Sequence, residues 1–240
     1  MGLINFNRIS NEALTLLKWI AVLAMVADHY NVFLNDNQSE FLKAVGRFAL
    51  PLFVFVIGYN LARMPVEKMP KMVFRLVAFG LLSLPPYIAL GAPIRDWWPL
   101  NILFSFAAAV LVVYLLSLRP ASKAALAALR GAAIVLFLVA GVVVEYFWPA
   151  LGLVLSVWLS FRLAKKNILG RLGALAAGCL WLIALNDMNG NLWAMAALPL
   201  IAGVLALPVG AIKLPRGKWF FYWFYPAHFY LIWMVVNLNA

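Results

Sequence analysis

At 240 residues, with 66% hydrophobic and only 11% charged side chains, the chain is too apolar for a soluble globular domain. Its formal charge of +11 would suit nucleic acid only if gathered on one face. The basic residues are instead scattered among short loops between apolar runs, as membrane topology requires. The single cysteine, Cys179, excludes an internal disulfide, offers no metal spacing, and is expected in the core of an apolar run.

Met1 to Glu12 is polar and is expected to lie at the membrane surface. The first apolar run is too long for a signal peptide and lacks a small-residue cleavage site, so it is expected to stay in the chain. Windows of about 20 mostly apolar residues mark about nine spanning helices. They run 13–34, 41–62, 71–91, 98–118, 125–145, 147–164, 168–187, 191–210 and 218–238. The expected fold is all-α, a polytopic helical bundle forming one membrane domain over residues 1–240.

Loop charge alternates along the chain. Arg63, Lys68 and Lys71, then Arg119, Lys123 and Arg130, then Arg162, Lys165, Lys166 and Arg171, then Lys213, Arg216 and Lys218 mark cytoplasmic loops. The intervening turns carry Asp36 and Glu40, Arg95 with Asp96, Glu145, and Asp187, and face outside. The N-terminus is thereby expected inside and the C-terminus outside. Trp97, Trp98, Trp148 and Trp193 are expected at the interface.

The first run, ALTLLKWIAVLAMVADHYNVFL, carries Lys18 early and the adjacent Asp28 and His29 near its end. Charges inside a membrane helix are costly unless paired or facing a polar cavity, so they are functional candidates. Lys18 and His29 share nearly one helix face, roughly 16 Å apart along the axis. Adjacent helix residues point about 100° apart, so Asp28 and His29 each need a partner on another helix. Arg47, a few residues into the second run, is the evident partner for Asp28; its planar fork also suits an oxyanion or phosphate. His29 suits general-base work, and the alternative is that both residues cap a helix end at headgroup level.

Prolines free backbone carbonyls at Arg47 (Pro51), at Leu81 and Leu82 (Pro85, Pro86), and at Tyr222 (Pro226). Such backbone is tolerated at depth only against protein or water, which places a cavity near these positions. In the last run, FYWFYPAHFYLIW, Tyr225 and His228 bracket the proline and could donate hydrogen bonds to a carbonyl; packing within an aromatic helix explains them equally. Glu145 ends the fifth run and could orient a histidine, receive a cationic amine, or be a solvated loop charge. Asn101 and Tyr87 carry weaker signals. Arg63 and Arg75 are placed for a cytoplasmic phosphate ligand, although topology alone explains them. The sequence contains no phosphate loop, zinc spacing or serine elbow.

LKWIAVLAMVADHY, VGRFALPLFVFVIGY, NILFSF, the Glu145-Tyr146 turn and the closing FYWFYPAHFYLI together resemble the TraX family, whose members include the conjugative pilin acetylase. The resemblance runs through nearly the whole chain. Its most specific parts are the Asp-His end of the first helix and Gly-Arg-x-x-x-Pro-x-Phe in the second. The family is similar to transmembrane acyltransferases that modify sugars and heparan amines, in which a histidine near the external end of an early helix is thought to be catalytic; His29 matches that position. The resemblance implies a multi-pass bacterial inner-membrane enzyme moving acetyl from acetyl-CoA to the N-terminal amine of a processed pilin. Lys18, Arg63 and Arg75 would then lie near the nucleotide end of the donor, and Arg47 or Tyr225 would stabilise the oxyanion. A sugar or another peptide amine as acceptor, a proton relay through Asp28, His29 and His228 in a transporter, and an assembly factor remain open alternatives.

Overall fold

The computed structural model describes residues 9–163, 167–208, 214, 215, 217 and 219–238. Expectations that fall on Asn5, Asn7, Arg8, Lys165, Lys166, Lys213, Arg216 and Lys218 lie outside these residues. Among the described residues the chain is helical, with no strand, only two isolated bridges. The helices are α1 (Asn11–Leu34), α2 (Glu40–Gly46), α3 (Ala49–Arg63), α4 (Met69–Ala89), α5 (Ile102–Ser117), α6 (Lys123–Val143), α7 (Phe147–Leu163), α8 (Ile168–Asn189), α9 (Ala197–Ala206) and α10 (Phe220–Leu238). Five stretches among the described residues are long and apolar enough to cross a membrane: Asn11–Leu34, Glu40–Arg63, Val66–Ala89, Lys123–Val143 and Ile168–Asn189.

The second expected span is broken into α2 and α3 at Arg47 and Phe48. Pro51 explains this, since a proline that cannot continue a hydrogen-bond ladder is harmless in a first helical turn and disruptive in an interior. Pro85, Pro86 and Pro226 instead sit inside continuous helices. The expected eighth span resolves into a short 3-10 turn, Trp193–Ala196, followed by the ten-residue α9. Cys179 is exposed on α8, which corrects the expectation of a core cysteine. An all-apolar run does not reveal which face is covered by protein and which is left for lipid, because both are equally apolar.

The described residues divide into two compact units, one drawn from Met1–Tyr59 and Ser156–Gly217, the other from Asn60–Leu155 and Lys218–Ala240. In the first, Leu14, Leu17, Ala21, Leu52, Val56 and Tyr59 form the core, with Ile201 and Val204 of α9. Ser10 caps α1 through its hydroxyl, which accepts from the Ala13 amide at 3.0 Å. The Tyr59 hydroxyl accepts from the Ile9 amide at 3.0 Å. In the second unit, α4 packs against α5 and α10, and α5 against α6. Gly80 is required there by close approach, because a Cβ at this position would stand 2.9 Å from the Phe104 ring. The short contact lets Asn101, fully buried, cap α5 by accepting from Leu103 while donating to the Gly80 carbonyl at 3.0 Å.

Candidate functional site

In the first unit the end of α1 folds back on α2 through a turn built on Asn31, which is fully buried. Its amide donates to Asn37 Oδ1 at 3.0 Å and to the Ser39 carbonyl at 3.1 Å, and its Oδ1 accepts from the Ser39 amide at 2.9 Å and from Asn35 Nδ2 at 3.0 Å. Asp36 and Asn37 turn the chain with φ of 46° and 57°, a region that Asp and Asn tolerate better than most residues. With every polar group of Asn31 engaged, the turn fixes the register of α1 against α2.

That register brings Asp28 against Gly46 and Arg47. The Asp28 carboxylate occupies the space where any side chain at position 46 would begin, so the residue there must be glycine for reasons of contact. Arg47 Nη2 lies 3.9 Å from Asp28 Oδ1, with the side chains 18% and 15% exposed. This is an ion pair beyond hydrogen-bond length. Asp28 Oδ1 and Arg47 Nε are both buried and make no hydrogen bond among the described residues. Buried charged groups in this state are costly and hold capacity for one more polar group between them. His29 follows on the adjacent face, half-buried, with its ring edge-on to Phe33 at 5.9 Å. Lys18 lies on the same helix, half-buried.

The second unit gathers a separate polar cluster. Glu145 stands in the break between α6 and α7; its amide donates to the Leu100 carbonyl at 2.8 Å, and its own carbonyl accepts from Ser105 Oγ at 2.7 Å. Tyr146 and Phe147 follow with φ of 57° and 48°, left-handed conformations costing bulky residues about 1–2 kcal/mol each. The carboxylate of Glu145 and the Tyr146 hydroxyl are electrostatic neighbours of Tyr87 and Tyr225. Tyr87 donates to the Pro99 carbonyl at 3.3 Å, and the Tyr225 hydroxyl lies against the Ile102 backbone. His228, 7% exposed, stacks on Phe224 with centroids 5.4 Å apart and planes at 7°. Its Nδ1 is 3.1 Å from the Phe224 carbonyl. A carbonyl only accepts, which assigns the proton to Nδ1 and leaves Nε2 as the acceptor nitrogen.

The sequence-derived candidates thus fall into two groups. Asp28, His29, Arg47 and Lys18 belong to the first unit, whereas Glu145, Tyr225, His228, Arg63 and Arg75 belong to the second. Arg63 donates from Nε and Nη2 to Asn60 Oδ1 at 3.2 and 2.9 Å. Arg75 sits 4.9 Å over the Trp219 ring and hydrogen-bonds the Tyr222 hydroxyl. Three residues carry more than sequence reasoning gave them. Asn31 carried no expectation, although an asparagine three positions after Asp28 in an apolar helix was a usable signal. Tyr146 was noted only as the neighbour of Glu145, and Gly46 only as part of a motif.

Helices long and apolar enough to cross a bilayer mark a multi-pass helical membrane protein, in which Asp28 and the half-buried His29 at the end of α1 meet Arg47 just after α2. The chain belongs to the TraX family: the family model described as TraX protein matches residues 13–236. It is 31% identical over 225 residues to protein TraX of Escherichia coli, covering 93% of this chain and 83% of that protein. To protein TraX of Escherichia coli strain K12 it is 31% identical over 217 residues, covering 89% of this chain and 83% of that one. No solved structure matches.

Proposed function

We propose that the protein is a membrane-bound acetyltransferase of the bacterial inner membrane, moving acetyl from acetyl-CoA to the N-terminal amine of a processed pilin or a similar peptide. The observation that carries this reading is the buried, incompletely satisfied Asp28–Arg47 pair beside His29. In this reading Asp28 receives the acceptor as its ammonium, and His29 takes the proton that must leave before nitrogen can attack. Once that first proton has passed from His29 to water, the amine nitrogen bonds to the thioester carbonyl carbon, His29 takes the second N–H proton from the adduct, and the carbon–sulfur bond breaks as that proton passes to the departing thiolate, leaving the amide, the free thiol and one proton released to solvent. An α-amino group with a pKa of about 8 lies close enough to a histidine for one base to suffice. Arg47 supplies the positive charge for the developing oxyanion. In the second unit Tyr225 and His228 act as hydrogen-bonding groups and Glu145 as an orienting carboxylate.

The loop-charge rule supports nine spans in one domain, with the N-terminus cytoplasmic and the C-terminus external. Asp28 and His29 then face the side where a processed pilin presents its amine, and the cytoplasmic donor approaches among basic residues. Intact-mass measurement of a candidate pilin from cells with and without the gene tests the reading. The expected result is one additional acetyl group per pilin, located at the N-terminus. Pilin of unchanged mass in both would reject it.

A further inference from the structure

Three basic residues, Lys18, Arg63 and Arg75, are candidates for the phosphate end of the donor; Lys18 belongs to the first unit, Arg63 and Arg75 to the second. Arg63 spends two donors on Asn60, while Arg75 borders an open groove of about 530 Å³ that also includes Lys71, Phe74, Phe79 and Trp219. The groove is built by the first turns of α4 and by Trp219 at the start of α10. Among the described residues that line it, the two charged ones are both cations and none is a carboxylate.

The guanidinium of Arg75 is fixed twice, by its seat 4.9 Å over the Trp219 ring and by the Tyr222 hydroxyl. An arginine held this way retains N–H donors for a phosphate and loses little freedom on binding one. Lys71, one turn before Arg75 on the same helix, is exposed and adds a second, mobile point charge. Phe74 stands between them in sequence and is 73% exposed, a large bare ring that offers a stacking face to a flat heterocycle. Two cations beside aromatic walls form a recognition set for a nucleotide carrying several phosphates. Loop charge assigns the start of α4 to the cytoplasmic side, where such a ligand is dissolved.

We infer that the Lys71–Arg75–Trp219 groove holds the adenine nucleotide end of coenzyme A, with Lys71 and Arg75 on its phosphates and Phe74 against its base. This inference rests on the acetyltransferase reading for the identity of the ligand, and it adds Lys71, Phe74 and Trp219 to the residues involved. Because the phosphate contacts are charge-assisted, affinity should fall as salt rises.

The test uses the full-length protein in phosphatidylcholine nanodiscs and measures binding of coenzyme A, dephospho-coenzyme A and pantetheine by calorimetry. Coenzyme A should bind most tightly and pantetheine, which has no phosphate, most weakly. Lys71→Gln, at an exposed position, should keep its melting temperature and weaken coenzyme A about ten- to hundredfold while leaving pantetheine unchanged. Phe74→Ala should weaken both nucleotide ligands. Pantetheine binding as tightly as coenzyme A, or wild type binding neither, overturns the inference. Equal coenzyme A affinity in wild type and Lys71→Gln, with added phosphatidylglycerol retained by wild type and released by the variant, overturns it in favour of a lipid headgroup. If wild type transfers acetyl and Lys71→Gln does so with unchanged KM for acetyl-CoA, the groove assignment fails and the acetyltransferase reading stands. If coenzyme A binds and Lys71→Gln abolishes that binding in a protein that transfers no acetyl, the groove stands and the acetyltransferase reading fails.

Discussion

Replacing Gly46 by alanine probes the Asp28–Arg47 pair without touching either charge. The added methyl would occupy the place of the Asp28 carboxylate, which must retreat by about 1 Å or more to reach ordinary van der Waals contact. At 3.9 Å the pair attracts by about 4 kcal/mol for an effective dielectric constant of about 20. Moving the carboxylate out to about 5.4 Å leaves roughly 3 kcal/mol, a loss of about 1 kcal/mol. Crowding a packed contact adds about 1–3 kcal/mol, and alanine returns about 1 kcal/mol through its better helix propensity. The net expectation is a destabilisation of about 1–3 kcal/mol, read as a melting temperature lower by several degrees. Acetyl transfer should fall about tenfold or more if the pair tunes the site. Combining Gly46→Ala with Asp28→Asn should cost less than the sum of the two changes, because both act on one carboxylate. Unchanged melting temperature and rate in Gly46→Ala, or strict additivity in the double variant, would refute the reasoning.

Asp28→Asn alone should destabilise by about 3–5 kcal/mol, because it leaves a buried arginine without its counter-charge, and thermal unfolding checks this. Asn31→Ala removes four hydrogen bonds at the α1–α2 turn and should cost about 2–4 kcal/mol, with amide exchange at Ser39 and Asn37 rising first. A reporter fused after Ala240 should read external and one within residues 162–171 cytoplasmic; both on one side would overturn the span count.

Much of the helix pattern could be read from sequence because a bilayer-length apolar run is a strong signal. The limits 125–145 and 168–187 lie within two residues at each end of α6 and α8. The break at Arg47 was visible only as Pro51, and the short α9 only as a stretch of adequate hydropathy. The Asp28–Arg47 pair was legible because two opposite charges stood at similar depth in adjacent apolar runs. Tyr87, Glu145, Tyr146 and Tyr225 lie far apart in sequence, except for the adjacent pair, and no periodicity links them. Their grouping depends on how α4, α5 and α10 pack, which apolar patterning leaves undetermined. The requirement for glycine at position 46 was invisible for the same reason, since it arises from a side chain on another helix.

The most direct measurement takes purified His29→Ala protein and follows acetyl transfer to a pilin peptide by intact mass, alongside binding of acetyl-CoA. The variant should fold, bind acetyl-CoA with wild-type affinity, and transfer no acetyl, because only the proton acceptor has been removed. Acetylation of the peptide by His29→Ala at the wild-type rate would contradict the assignment of His29 as the base.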